Sequence, residues 1–255
     1  MQLPDFLGLQ DAAILVTGAS SGIGREVAVR ASQQGARLAL VARDPDRLEA
    51  VKAELAGDGH IVVPFDLTDS DAVPGMVSNV SRQLGPLSGL VHAAGLHLAM
   101  PLKSMRSEEA QKLMNVNVIA AMMLAKGFRV RSAHTASASL VFISSAMGLV
   151  GQPSVSAYSA TKGAVLSLTK SLALELVRDG IRVNCVAPGV ALTEMTEKLH
   201  SVIGDDGFRA VEDAHPLGLG KASDVADAIL FLLSNSAARW ITGSTLSVDG
   251  GYTAQ

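Results

Sequence analysis

The chain has 255 residues, and its 21 Lys and Arg against 24 Asp and Glu give a formal charge of −3, which with the lack of basic clusters argues against nucleic-acid binding. It is 48% hydrophobic but only 4% aromatic and carries 24 glycines, a composition that suits an aliphatic core of parallel strands covered by helices and joined by tight turns. No apolar run reaches the roughly 18 to 20 residues that span a bilayer, the start M-Q-L-P-D-F-L lacks the features of a secretory signal, and the single Cys185 can form no internal disulfide, so a reducing, cytoplasmic location is expected.

From the N-terminus, short aliphatic runs alternate with longer stretches of helical period, the mark of repeated strand–helix units around a parallel sheet. The predicted strands are Ala13 to Val16, Leu38 to Val41, Ile61 to Pro64, Gly89 to Val91, Leu140 to Ile143, Arg182 to Val186 and Thr245 to Val248. The predicted helices are Ile23 to Gln34, Pro45 to Leu55, Asp69 to Leu84, Ser107 to Arg131, Val155 to Arg178 and Ala222 to Leu233. Nothing between them reads as a linker or repeat, so one domain is expected over residues 1–255. The stretch from about Leu192 to Gly220 fits neither period cleanly. An insertion after a late strand of a doubly wound sheet lies near the ligand-binding edge, so this stretch is a candidate substrate lid.

Two local patterns carry chemistry. In A-I-L-V-T-G-A-S-S-G-I-G-R-E a strand turns through Gly18, Gly22 and Gly24 into a helix, which is where a backbone can approach a pyrophosphate closely. Further on, Tyr158 and Lys162 stand at i and i+4 in Y-S-A-T-K, so both project from one helix face. An ammonium beside a phenol favours the phenolate, and a hydroxyl such as Ser145 aimed at the same oxygen adds to this. The expectation is a Tyr158 pKa drawn from about 10 toward working pH. Alone, such a Tyr and Lys are usually a solvated surface pair; the accompanying motifs give them meaning.

The spacing T-G-x-x-x-G-x-G is followed by Asp66 in F-D-L-T, A-A-G at Ala93 to Gly95, Asn117 in N-V-N-V, Ser145, Y-S-A-T-K, V-A-P-G at Val186 to Gly189 and T-G-S-T-L-S-V-D-G-G. In this order the chain resembles, over nearly its full length, the short-chain dehydrogenase/reductase family. The resemblance implies a doubly wound Rossmann-type three-layer α/β sandwich with a seven-stranded parallel sheet. It implies a catalytic set of Asn117, Ser145, Tyr158 and Lys162, in which the serine orients a carbonyl, the tyrosine transfers a proton, the lysine holds the nicotinamide ribose, and the asparagine helps fix a water beside the lysine. Asn115 is then only a polar neighbour. By the same likeness, Gly18, Ser20, Ser21, Gly22, Ile23, Gly24, Arg43, Asp66, Leu67, Ala94, Gly95, Tyr158, Lys162, Pro188, Gly189 and Thr193 hold the cofactor.

Dinucleotide folds that prefer NAD place an acid at the end of the second strand. Here that position is Ala42, followed by Arg43, so NADP(H) is the expected cofactor, with Arg43 on the 2′-phosphate and NAD(H) as the alternative. Substrate-facing residues by analogy are Ser145, Met147, Val150, Gln152, Val155, Tyr158, Leu192 and Met195, an apolar to mildly polar set without an arginine clamp. Length and motifs resemble 3-oxoacyl-(acyl carrier protein) reductases, which implies reduction of a ketone to a secondary alcohol. The alternatives are an NAD-dependent dehydrogenase of a secondary alcohol, sugar or polyol, and an inactive nucleotide-binding regulator.

One departure from the family pattern is evident: similar proteins read N-N-A-G where this chain has His92-Ala93-Ala94-Gly95. Ala93 cannot tie neighbouring strands through an amide. His97 falls near the expected site mouth, and the remaining histidines show no metal-ligand spacing. Small residues on the helices around Ala120 and Ala164 imply, by likeness, pairing of subunits into a homotetramer, with a dimer next.

Overall fold

The computed structural model describes residues 6–254, apart from the side chains at 195, 197–199, 202 and 203. Seven parallel strands form one sheet: β1 (Ala13–Thr17), β2 (Arg37–Ala42), β3 (Ile61–Pro64), β4 (Leu87–His92), β5 (His134–Ile143), β6 (Ile181–Pro188) and β9 (Thr245–Val248). Their order is β3-β2-β1-β4-β5-β6-β9. This is the doubly wound Rossmann-type arrangement, and each of the seven strands expected from the sequence is in it.

Both faces of the sheet are covered, so alternate residues of a strand enter different cores. Ile14 and Val16 of β1 join the core beneath α1 (Gly22–Gln33), α2 (Pro45–Lys52) and α8 (Ala222–Leu233). Leu15 joins the opposite core, beneath α3 (Val73–Leu84), α5 (Ala120–Phe128) and α6 (Ser156–Leu176). This explains why the strands read as continuous aliphatic runs rather than alternating ones.

Differences from the expected elements have local causes. Helix α3 begins at Val73 instead of Asp69, because residues 69–72 close turns (Ala72 N–H to Asp69 O, 3.2 Å) and Pro74 suits a first helical turn. The strand β5 is ten residues long, its polar first half H-T-A-S-A-S being recruited by pairing with β4 and β6. The long helix from Ser107 is continuous only in outline: α4 (Ser107–Met114) passes through a π-helical turn, Asn115–Ile119, before α5.

The stretch 192–220 departs most from expectation. It is largely helical, as α7 (Glu194–Asp213), broken where Gly204 takes φ 69° and ψ 178°. That break, together with Gly207, is what hid the helical period. A two-strand parallel ladder, β7 (Ala191–Leu192) with β8 (Gly220–Lys221), joins the two ends of the stretch.

Candidate active site

The strand order reverses direction between β1 and β4, and the crevice beyond their carboxyl ends is where such sheets bind dinucleotides. Gly18 leaves β1 with φ 67°, and a Cβ there would lie 2.6 Å from the Ala94 nitrogen, so only glycine allows the turn to pass this close to the β4 exit. A Cβ on Gly24 would lie 2.3 Å from the Gly18 oxygen, so the first turn of α1 packs directly on the loop. Ser20, Ser21, Gly22 and Ile23 form the loop and the start of α1, and Ser21 leaves the helix N-terminus without a side-chain cap. Its backbone N–H groups are free to meet a pyrophosphate. Thr193 faces Gly22 from the opposite wall, its Cγ2 3.5 Å from where a Gly22 Cβ would lie. This cradle fits a nicotinamide dinucleotide.

Arg43 follows β2 and Asp66 follows β3, adjacent strands of the sheet. Asp44 is engaged elsewhere, accepting from the Asp46 and Arg47 N–H groups as the N-cap of α2. Asp66 accepts from Thr68 N and Oγ1 at 3.0 and 2.9 Å. The Thr68 N–H above all holds its carboxyl below the ordinary range, and nearby Arg43 adds to this. Leu67 is buried behind them.

Beyond the nicotinamide end of the crevice, β5 and α6 bring Ser145, Tyr158 and Lys162 to one cavity of about 590 Å³, as their spacing led one to expect. Ser145 caps a short 3₁₀ turn, and its Oγ accepts from Met147 N–H at 3.1 Å, which leaves its own O–H to donate. Lys162 is 6% exposed; its Nζ donates to Ile143 O at 2.9 Å and lies 5.6 Å from the Tyr158 ring centroid. Burial pulls its ammonium down to about 8.

The expected depression of the Tyr158 pKa is not what this arrangement produces. Burial raises the phenol, and the facing Ser145 hydroxyl only partly opposes this. The ammonium lies over the ring and is committed to Ile143 O, so burial outweighs its pull on the hydroxyl.

Asn117, on the π-helical turn, is 2% exposed, whereas Asn115 is exposed. Its Oδ1 accepts from Leu96 N (2.8 Å), and its Nδ2 donates to Leu96 O and to Thr161 Oγ1 (3.0 Å each). The amide thus joins the β4 exit loop to α6. Asn117 Oδ1 and Lys162 Nζ both come within 3.6 Å of a Cβ built on Gly95, so Asn117 borders the lysine, with both Nδ2 hydrogens bonded and one acceptor position of Oδ1 open.

Ile23, Gly95, Met147, Gln152, Val155, Pro188, Gly189 and Thr193 share the cavity wall. Val150 and Leu192 do not. Leu192 lines a neighbouring cavity with Arg25 and Phe208, which shares Thr193 and Thr196 with the first. Met195 lies outside the described side chains.

Two wall residues carry no recognisable sequence signal. His215 accepts from Val190 N–H through Nε2 (3.1 Å) and bonds Val211 O through Nδ1 (2.7 Å), and Tyr252 stacks on it with centroids 4.8 Å apart. Among the described residues no group of three or more His, Cys, Asp or Glu could hold a metal.

A seven-stranded doubly wound sheet with a glycine cradle opening onto a Ser–Tyr–Lys cluster defines a nicotinamide-dependent oxidoreductase. Residues 18–253 match the family described as enoyl-(acyl carrier protein) reductase. Gluconate 5-dehydrogenase of Gluconobacter oxydans (strain 621H) is 34% identical over 257 residues, covering 99% of each chain. The 3-oxoacyl-[acyl-carrier-protein] reductase of Mus musculus is 36% identical over 94% of this chain and 98% of its own. A short-chain type dehydrogenase/reductase from Mycobacterium marinum superposes with a TM-score of 0.89 at 33% identity, covering 98% of this chain and 99% of that one. The chain belongs to the short-chain dehydrogenase/reductase family of oxidoreductases acting on CH–OH and carbonyl groups.

Proposed function

We propose that this protein is an NADP(H)-dependent reductase that converts an uncharged ketone, of 3-oxoacyl type or another small carbonyl compound, to a secondary alcohol. The observation that carries this reading is the convergence of Ser145, Tyr158 and Lys162 on a cavity that Ile23, next to Gly22 and Gly24 of the cradle, also lines. The reduced nicotinamide, when bound, supplies hydride to the carbonyl carbon. Ser145 donates to the carbonyl oxygen with the hydrogen that its bond to Met147 leaves available. Tyr158 donates to the same oxygen and transfers its proton as charge develops there. Lys162 sits close enough to stabilise the phenolate left behind. Burial keeps the phenol in its protonated form, the form that can donate to the carbonyl oxygen.

The residues of this wall suit an apolar substrate. Among the described residues Lys162 is the one lysine or arginine of this wall, its ammonium donating to Ile143 O, and both nitrogens of His215 are bonded. The stretch 192–220, fastened by the β7–β8 ladder and by His215, serves as a lid over the cavity.

For the cofactor, Ala42 removes the acid that would repel a 2′-phosphate, Asp44 is spent on capping α2, and the exposed Arg43 guanidinium is available to bind that phosphate. Titration should give a Kd for NADPH at least tenfold below that for NADH, and Arg43→Ala should abolish the difference. Equal or tighter NADH binding removes the assignment and, with alcohol oxidation, establishes an NAD-linked dehydrogenase instead. Turnover is tested by following NADPH absorbance against ketones, sugars and acyl thioesters. Tyr158→Phe should keep NADPH binding and lose roughly 10²- to 10⁴-fold in kcat; unchanged turnover rules out this mechanism.

A further inference from the structure

His97 lies on the wall of the reaction cavity, and none of the roles above uses it. The other five histidines each have at least one ring nitrogen in a hydrogen bond: His60 with Leu38 N and Ala56 O, His92 with Thr17, His134 with Thr135 O, His200 with Asp205, and His215 as above. Among the described residues neither nitrogen of His97 has a partner. Its position is nevertheless fixed. The preceding residue, Leu96, is held through both N–H and C=O by the Asn117 amide, and the imidazole stands edge-on against the Tyr158 ring at 72°, with centroids 4.7 Å apart.

His97 is exposed overall, and its imidazole, set against the Tyr158 ring at the cavity wall with no hydrogen-bonding protein partner among the described residues, is placed to meet a ligand. Because it abuts the ring whose hydroxyl would meet the reacting oxygen, with centroids 4.7 Å apart, substrate atoms close to that oxygen come near the imidazole. Desolvation of the ring where it faces the cavity, and secondarily the Lys162 charge, lowers the His97 pKa even though the residue is exposed overall, which favours the neutral ring with one donor and one acceptor nitrogen.

We infer that His97 is a substrate-recognition residue that hydrogen-bonds a second oxygen function carried close to the reacting carbonyl. The preferred substrates are then uncharged dicarbonyl or hydroxyketone compounds rather than simple monoketones. The inference rests on the carbonyl-reductase reading above.

A matched pair of substrates tests it: ethyl acetoacetate, which carries the second oxygen function, and methyl pentyl ketone, which does not. With NADPH saturating, wild-type protein should show kcat/KM at least tenfold higher for ethyl acetoacetate. His97→Phe, which keeps a ring against Tyr158 but has no nitrogen, should lose about tenfold on ethyl acetoacetate, mostly through KM, and stay within about twofold of wild type on the monoketone. His97→Gln, which keeps a donor and an acceptor, should recover part of the loss.

Equal losses on both substrates would mean that the ring acts only by packing on Tyr158, and would overturn the inference, as would a wild-type protein indifferent to the second oxygen. In either case the reductase reading stands, since the monoketone is still turned over. NADPH binding without turnover of any member of the wider carbonyl panel would overturn both.

Discussion

Lys162 shows how the same burial that builds the site works against stability. An ordinary lysine titrates near 10.5, and burial brings this one to about 8, so at neutral pH the fold holds an ammonium at a cost on the order of 3 kcal/mol. The unfolded chain binds the proton more tightly, so stability rises as pH climbs from about 8 to about 10.5. Lys162→Met has no such proton to lose. In paired thermal melts the wild-type midpoint should therefore gain on the Lys162→Met midpoint across that window, and parallel curves would mean that the ammonium is better solvated than its burial indicates.

His92 works in the acid range. Desolvation, with the Lys162 charge adding to it, lowers this ring to about 3 from an ordinary 6.5, and its Nδ1 lies 2.8 Å from Thr17 Oγ1. Thr17 Oγ1 in turn accepts from Ala94 N–H at 3.3 Å. The ring thus ties β4 to β1, the link that Ala93 in place of asparagine cannot make. Because the unfolded chain protonates first, stability is intact above about 6.5 and is lost as pH falls toward 3, by several kcal/mol. His92→Gln cannot titrate, so its denaturant midpoint should fall less over the same interval; equal slopes would locate acid sensitivity elsewhere. At this scale the sequence identified which groups meet, because Ser145, Tyr158 and Lys162 sit in recognisable contexts. It misjudged the direction of the Tyr158 shift, because desolvation depends on neighbours distant in the chain.

Elements with an unbroken period were legible: the existence of all seven strands, and five of the six expected helices to within a few residues, since aliphatic runs and capping residues are local signals. What could not be read depends on a single backbone angle or on distant pairing. The π-helical turn at Asn115–Ile119 has the same residue pattern as a helix, yet it carries the asparagine that holds Leu96. Helix α7 was masked by Gly204, whose φ 69° and ψ 178° belong to a region that only glycine occupies readily. No described atom crowds a Cβ there, so Gly204→Ala introduces backbone strain of about 1–3 kcal/mol without a clash. The strain falls on a segment outside both cores of the sheet, so it should alter how the proposed lid closes more than it alters global unfolding. The expected outcome is a several-fold rise in KM for a carbonyl substrate with the thermal midpoint within about 2 °C of wild type. A large fall in midpoint with KM unchanged would show that α7 supports the fold rather than the cavity.

Among the exposed apolar side chains of the described residues, two groups lie where subunits could meet, one on α6 and one at the edge of the sheet. On α6 the small exposed residues Ala160, Ser167 and Ser171 run up to Leu174, which is 79% exposed, and Met122 of α5 is also partly exposed. At the far edge, β9 pairs only with β6 among the described residues, and nearby Trp240 is 90% and Leu246 38% exposed. An open strand edge beside a bare tryptophan is a surface that soluble proteins normally cover. One self-complementary face gives a two-fold dimer, and two independent faces on one chain give a tetramer with dihedral symmetry. The helix face was legible in the sequence as an alanine- and serine-rich stripe; the edge face was not, because nothing local marks β9 as the last strand. The expected species in sedimentation velocity at micromolar concentration is therefore four copies of the 26.3 kDa chain. Leu174→Glu and Trp240→Glu should each yield dimers, held by the face left intact, and the double variant should yield monomers. If either single variant gave monomers directly, that face alone would hold the assembly and the tetramer would reduce to a dimer; a monomeric wild-type protein would remove both faces as interfaces.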